Sequence, residues 1–464
     1  MFKPEVYTER RKKLKKLMGS GLLFFPGNGY SPMNYPSNTY PFRQDSSFLY
    51  FFGLDQPDLS AVIDIDEDSE MIFGTDFSVD DIIWMGPQPK LSERAQQCGV
   101  KETGSPDKLE NLIKKHSKRT HYLPPYRGET LIQLSHLFNL PIHEVKTGFS
   151  EKLIKSVVAL REIKDEHEIA EIEKAVDTAY EMHTAVMKNI RPGMIERELS
   201  GMIEGISLSG GGPVSFPVIL SKRGETLHNH FHGNILNMGD LVVTDAGAET
   251  TMHYASDITR TVPVSGKFTP RQQEIYSLVV KANMEALKIS RPGISYLQVH
   301  EKATEIIAAG LTAYGIMKGD PAEAVKQGAH ALFMPHGLGH AMGLDVHDME
   351  GFGEDYVGYD EEIQRSKVFG TANLRFGKRL KEGMVMTNEP GIYFIPALID
   401  QWRSENKHAA FINYEKLDDF RTFGGIRIED DILITQDGCR VLGKPVPKTV
   451  IEVEDLMYTR RASS

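Results

Sequence analysis

Five residues have side chains suited to holding metal ions together. They are Asp245 in TDAGAE, Asp257 in SDITRT, His340 in MPHGLGHAMGLDVHD, Glu389 in TNEPGIY and Glu429 in GIRIEDD. Four carboxylates and one imidazole make a mostly hard oxygen shell. Such a shell suits Mn²⁺ or another hard divalent ion better than a structural zinc, which prefers thiolates and several histidines. A carboxylate can bridge two cations, and four negative charges can hold a pair of dications with a hydroxide between them. That pair is machinery for hydrolysis without a covalent intermediate. Each acid taken singly reads as a solvent-facing residue or a turn cap; the conjunction points to a site. His336 and His340 have metal-like spacing, but HGLGH is too rich in glycine for a secure helix and is not the HExxH motif. One ligand and one pocket histidine are expected there.

The elements that must position these groups are strands and turns. LVVTDAGAET and MHYASDITRTVPV flank a short turn near Thr251. A hairpin centred there places Asp245 opposite Asp257, with Cβ atoms roughly 4.5–5.5 Å apart. Two carboxylates so close repel unless protonated or neutralised by cations. In GGIRIEDDILIT, alternation puts Ile426, Ile428 and Ile432 on one face and Arg427 and Glu429 on the other. Glu389 follows the apolar strand GMVMT and precedes Pro-Gly, where a side chain can point into a cleft.

The chain has 464 residues, is 40% hydrophobic and 25% charged, and has a net charge of −11. That length implies two or three domains. The charge argues against a nucleic-acid partner. No apolar run approaches the length of a membrane helix. The N-terminal MFKPEVYTERRKKLKKLMGSG lacks the hydrophobic core of a secretory signal and reads as a solvated helix face. Two distant cysteines, Cys98 and Cys439, fit a reducing cytoplasm. Residues 1–155 read as an α/β domain of short strands and helices, whose His116, His121, His136 and His143 are surface or turn residues. Residues 156–464 hold every candidate ligand. The boundary segment ALREIKDEHEIAEIEKAVDTAYEMHTAVMKNI shows helical apolar spacing with many exposed charges. It ends at Arg-Pro-Gly, 191–193, and the pattern returns at Arg-Pro-Gly, 291–293. Helix, Pro-Gly turn, helix recurs, which implies two related halves with a site in the cleft between them.

The segments LHNHFHG, VVTDAGAE, ASDITRT, MPHGLGHAMGLDVHD, MTNEPGIYF and GGIRIEDD resemble, in this order, the proline-specific metallopeptidases of the pita-bread fold. These are the Xaa-Pro aminopeptidases and the Xaa-Pro dipeptidases (prolidases). FRQDSSFLYFFGL and IIWMGPQPKLSE look like that family's N-terminal domain. The resemblance implies an α/β (α+β) chain: an N-terminal domain, then a pita-bread catalytic domain with two pseudo-related halves. It further implies that Asp245 holds one metal, that Asp257 and Glu429 bridge both, and that His340 and Glu389 complete the other shell. His228, His336 and His347 match three pocket histidines that position substrate, and Glu389 the proton shuttle. His230, His232 and His253 have no comparable match, and a loop or supporting role is expected for them.

Two divalent ions are thus expected, Mn²⁺ first, with Co²⁺ or Zn²⁺ as alternatives. The expected partners are small proline-containing peptides and a second copy of the chain, in the cytoplasm. Arg375, in ANLRFGKRLKEGMVMTNEPGIYF, matches the arginine with which prolidases bind a dipeptide's carboxylate, and Arg427 is a second substrate-binding candidate. Dipeptidase activity is therefore expected, with aminopeptidase P activity on longer peptides as the main alternative. A non-catalytic binding protein would have little reason to keep all five ligands. A creatinase-like hydrolase would not need the dinuclear set.

Overall fold

The computed structural model describes residues 1–461, with side chains through Tyr458. The chain forms two compact units: residues 1–161 with 349–356, and residues 162–348 with the chain from 357 onward. Position 155/156 falls inside the helix Glu151–Arg161, which belongs whole to the first unit.

The first unit is built on a five-stranded mixed sheet. Its spatial order is Glu102–Gly104, Ser69–Phe73, Ser60–Asp64, Leu22–Pro26 and Thr120–His121. The apolar strand LLFFP can sit between two neighbours because nearly all of its side chains are buried. Leu22, Phe24, Val62 and Phe73 form a core with Leu109 and Ile113 of one helix and Leu134 and Leu137 of another. The N-terminal basic run is a helix, Pro4–Met18, but it is not wholly solvated. Arg11 is fully buried, donating to the carbonyls of Phe51 and Cys98 and pairing with Glu70 at 2.7 Å. Three directed acceptors replace the water it loses.

In the second unit the repeated Arg-Pro-Gly pattern is a repeated backbone architecture. Helix Glu166–Asn189 turns at Gly193 into Glu196–Ser209; helix Pro270–Ile289 turns at Gly293 into Tyr296–Ala313. Both glycines take left-handed φ, 89° and 85°, a region open to glycine at little cost. The N–H of Gly193 donates to Leu236 as that of Gly293 donates to Leu380, and Glu196 donates to Asn234 as Tyr296 does to Lys378. These are two copies of one hydrogen-bonding scheme. The boundary segment differs from expectation in its charges: Glu162, Lys164, Glu168 and Glu171 are buried, because their partners are in the fold rather than in water.

The first half carries a sheet of Ile219–Ser221, Leu241–Ala246 and Ile258–Pro263. Here the register corrects the sequence reading. Asp245 faces Thr259, and the bridge Glu249–Ala255 shows the hairpin centred at Met252 rather than at Thr251. Asp257 therefore sits two residues off, on the diagonal. An offset of two keeps it on the same face of the sheet, so both acids still enter one site.

The second half pairs Val385–Asn388 with Asp430–Ile434, and Gly391–Tyr393 with Gly425–Arg427. GGIRIEDDILIT is thus two strands, broken at Ile428–Glu429, with polar and apolar faces alike buried. Asn388 faces Asp430 and Gly391 faces Arg427. The same count sets Glu389 opposite Glu429, where the ladder lapses and both carboxylates are released from it.

Candidate metal centre

The two halves are stitched together where their acids meet. The Glu429 N–H leaves its own ladder and donates to Thr259 of the first half (3.0 Å), and the Asp257 N–H donates to Asp431 Oδ2 (2.9 Å). Thr261 Oγ1 donates to the Arg427 carbonyl (3.0 Å). Behind them Arg260, fully buried, donates to the Glu429 carbonyl and pairs with Asp430 at 2.6 Å.

A cavity of about 390 Å³ opens on this seam. All ten residues named from sequence line it: Asp245, Asp257, His340, Glu389 and Glu429; His228, His336 and His347; Arg375 and Arg427. His230 lines it as well. His232 instead sets Nε2 against the Val218 carbonyl, and His253 pairs with Glu249 at 2.7 Å.

Asp257, His340 and Glu429 are the tightest group, with one ligand atom of each within 4.8 Å of the others. His340 Nε2 lies 3.4 Å from Asp257 Oδ2 and 3.8 Å from Glu389 Oε1. Its Nδ1 faces the Ala341 carbonyl at 3.1 Å and so must carry the proton. That leaves the Nε2 lone pair toward the carboxylates, the tautomer a metal-binding imidazole needs. His336 is differently tied. Its Nδ1 donates to the Gly337 carbonyl (2.7 Å) and its Nε2 accepts from the Tyr393 hydroxyl (3.0 Å). Both of its nitrogens are committed to protein, and burial, then Arg427, pushes its pKa down to about 3. Burial likewise lowers His228.

The donor chemistry fits dications. Asp245 Oδ1 and Asp257 Oδ1 are buried without a hydrogen-bond partner among the described residues, which is costly for an anion. Burial, then neighbouring carboxylates, pushes Asp257 and Glu429 far above the usual carboxylate range. Burial raises Glu389 to about 8, against the pull of Arg427. Two guanidiniums, Arg427 and Arg375, line the cavity and cannot balance four carboxylates; cations seated among them would.

Sequence reading missed two residues that orient this set. Thr259 Oγ1 donates to Glu429 Oε2 at 2.7 Å and accepts from Arg427 Nε at 3.1 Å. Tyr393 Oη receives Arg427 Nη1 at 2.8 Å and passes its own proton to His336. Arg427 also holds Asp245 Oδ2 at 2.6 Å, so its guanidinium is spent on protein groups. Thr259 lies in SDITRT, two residues beyond Asp257, and alternation alone could have flagged it.

Residues 170–436 match metallopeptidase family M24, and residues 7–123 match the aminopeptidase P N-terminal domain. The chain belongs to metallopeptidase family M24. Human Xaa-Pro dipeptidase is 30% identical over 97% of this chain and 91% of that protein. A probable Xaa-Pro aminopeptidase of Fusarium vanettenii is 33% identical over 90% of this chain and 88% of that protein. Escherichia coli aminopeptidase P, solved with the inhibitor Pro-Leu, superposes with a TM-score of 0.81 at 28% identity, covering 99% of both chains. The fold is therefore that of an N-terminal domain followed by a pita-bread catalytic domain. Among the described residues no helix is long and apolar enough to cross a membrane.

Proposed function

We propose that this metal-dependent Xaa-Pro peptidase acts chiefly on Xaa-Pro dipeptides. The observation that carries the dipeptidase reading is Arg375, a guanidinium lining the same cavity as the carboxylate cluster. A guanidinium grips a carboxylate through paired hydrogen bonds. A dipeptide's C-terminal carboxylate lies one residue from the scissile bond, so a cation in the cavity selects short substrates. The Fusarium relative and the superposed Escherichia coli enzyme favour the second reading, an aminopeptidase acting on longer peptides.

Asp245, Asp257, His340, Glu389 and Glu429 would hold two divalent ions. Seated there, such ions would supply the acidity that makes water a nucleophile near neutral pH. The hard donor set supports Mn²⁺ over Zn²⁺. Glu389, a carboxylate when it serves as a ligand, can take a proton from the attacking water and deliver it to the leaving imide nitrogen. His336 and His228, neutral through burial, orient substrate without adding a charge that would repel the metals. His347, whose ring lies 4.0 Å from that of His340, would offer a donor that stabilises the oxyanion. Thr259 and Arg427 hold Glu429 and Asp245 in place; Arg427 acts here as a positioning residue rather than a substrate grip. A homodimer is supported by the helix Val79–Met85, which buries none of its residues and leaves Trp84 84% exposed. Two free cysteines fit a cytoplasmic setting.

The deciding experiment compares kcat/KM for Xaa-Pro with that for Xaa-Pro-Xaa, before and after Arg375→Ala. Loss of a charge-assisted pair costs about 1.5–3 kcal/mol and should fall mainly on the dipeptide. A ratio that does not move, with a parental preference for longer peptides, assigns the chain to the aminopeptidases.

A further inference from the structure

The loop His340–Asp348 carries two of the cavity's histidines, and a run of contacts ties it to a lysine outside the cavity. His340 Nδ1 donates to the Ala341 carbonyl at 3.1 Å. That same carbonyl accepts the N–H of Asp348 at 2.9 Å. Asp348 Oδ2 in turn receives Lys164 Nζ at 2.9 Å, while its Oδ1 receives the Asp345 N–H at 3.4 Å. The side chains of Lys164 and Asp348 are only 2% and 1% exposed. A Cβ on Gly343 would stand 2.7 Å from Asp348 Oδ2 and 2.9 Å from Lys164 Cε, so only glycine lets the loop close over the pair.

Lys164 is itself a fixed point. Its N–H donates to Gly383 at 2.8 Å. Two residues earlier, the Glu162 carboxylate is held by Lys378 at 2.6 Å and Lys381 at 2.7 Å. Burying a lone lysine–aspartate pair contributes little net stability, because desolvation offsets the attraction. What the pair supplies is direction. It fixes the Asp348 backbone, the Asp348 N–H fixes the Ala341 carbonyl, and that carbonyl sets the tautomer and rotation of the His340 ring. His347 is the residue next to Asp348 and moves with it.

We infer that Lys164 is a positioning residue for the metal centre, acting through Asp348 and the Ala341 carbonyl on His340 and His347. The inference rests on the reading of His340 as a ligand. It is tested by competition with a chromophoric chelator for Mn²⁺, on the full-length parent, H340A, K164Q and K164M/D348N, alongside thermal unfolding and kinetics. K164M/D348N removes both charges yet keeps an acceptor for the Asp345 N–H, so its unfolding temperature should stay near the parent's. Its metal affinity should fall on the order of tenfold, and kcat should fall with KM little changed. K164Q, which keeps a donor toward Asp348, should show a smaller loss in the same direction. It decides the matter should the double variant fail to fold. Parental Mn²⁺ affinity in a folded Lys164 variant, where H340A has lost metal, overturns the inference alone. Parental affinity in H340A as well removes the ligand reading, and the inference with it.

Discussion

Replacing His300 by leucine should stabilise the protein, and increasingly so as the pH falls. His300 lies on the helix Tyr296–Ala313 and is 1% exposed; its ring centroid is 6.1 Å from that of His330, and among the described residues neither of its nitrogens has a partner. Burial depresses its pKa to about 3, against about 6.5 in an unfolded chain. The folded state therefore keeps it neutral, while the unfolded state takes up a proton below about pH 6.5. The unfolded state binds more protons in that window, so stability falls as the pH drops from about 6.5 toward 3. Between pH 7 and pH 5 the loss is about 2 kcal/mol for this one residue. His183 and His330, buried and lowered to about 4, add about as much each, roughly 6 kcal/mol in all. That is a large share of the ~5–15 kcal/mol typical of a folded protein. In His300→Leu the unsatisfied imidazole is gone, a gain of about 1–3 kcal/mol at pH 7. The gap to the parent should widen by a further ~2 kcal/mol at pH 5. Denaturant unfolding of metal-loaded protein at pH 7, 6 and 5 measures this directly. His300 does not line the cavity, so kcat should hold. A gap that stays constant with pH refutes the assignment of a buried neutral imidazole.

Glu429→Gln removes one charge from the cluster and should lose metal and activity together; full hydrolysis by a chelated, metal-free preparation would rule out the mechanism. His336→Ala should lower turnover while metal content, read by atomic absorption, stays near parental, because both His336 nitrogens are committed to Gly337 and Tyr393. His340→Ala should lower metal occupancy instead, and equal loss in both variants would merge roles that the geometry separates. Arg427→Lys keeps the charge, but an ammonium cannot reach Asp245, Thr259 and Tyr393 together. Losing one such charged hydrogen bond costs about 1.5–3 kcal/mol, a fall in kcat/KM of roughly tenfold to a hundredfold. Unchanged kcat/KM would mean that charge alone matters there.

The ligand set was legible in the sequence because its members are polar residues embedded in apolar strands, and the two Arg-Pro-Gly turns announced the paired halves. The pairing of Asp245 was not. A hairpin's centre depends on how many residues its turn absorbs, and DAGAETTMHYASD offers several small residues at which to turn. The strand break at Ile428–Glu429 was hidden for a related reason. Alternation assumes an unbroken ladder, whereas here one register runs along 385–393 but lapses where Pro390 has no N–H to give and the Glu429 N–H turns to Thr259. Lys164 and Arg11 read as solvated charges because sequence cannot show an acceptor brought from far along the chain.

The run Glu429–Asp430–Asp431 makes the same point at the level of single protons. Three consecutive carboxyls are all buried, yet their environments pull them apart. Glu429 turns into the cavity, and burial beside Glu389 and Asp245 raises it. Asp430 turns the other way, to Arg260 and to Lys448, each at 2.6 Å. Those cations outweigh its burial and bring it down to about 2. Asp431 accepts the Asp257 N–H, but among the described residues no cation pairs with it, so burial prevails over the pull of Arg260 and it rises. The two cations behind the seam neutralise Asp430 and leave Glu429 uncompensated. The excess negative charge is therefore concentrated on the cavity side, where a divalent ion can use it.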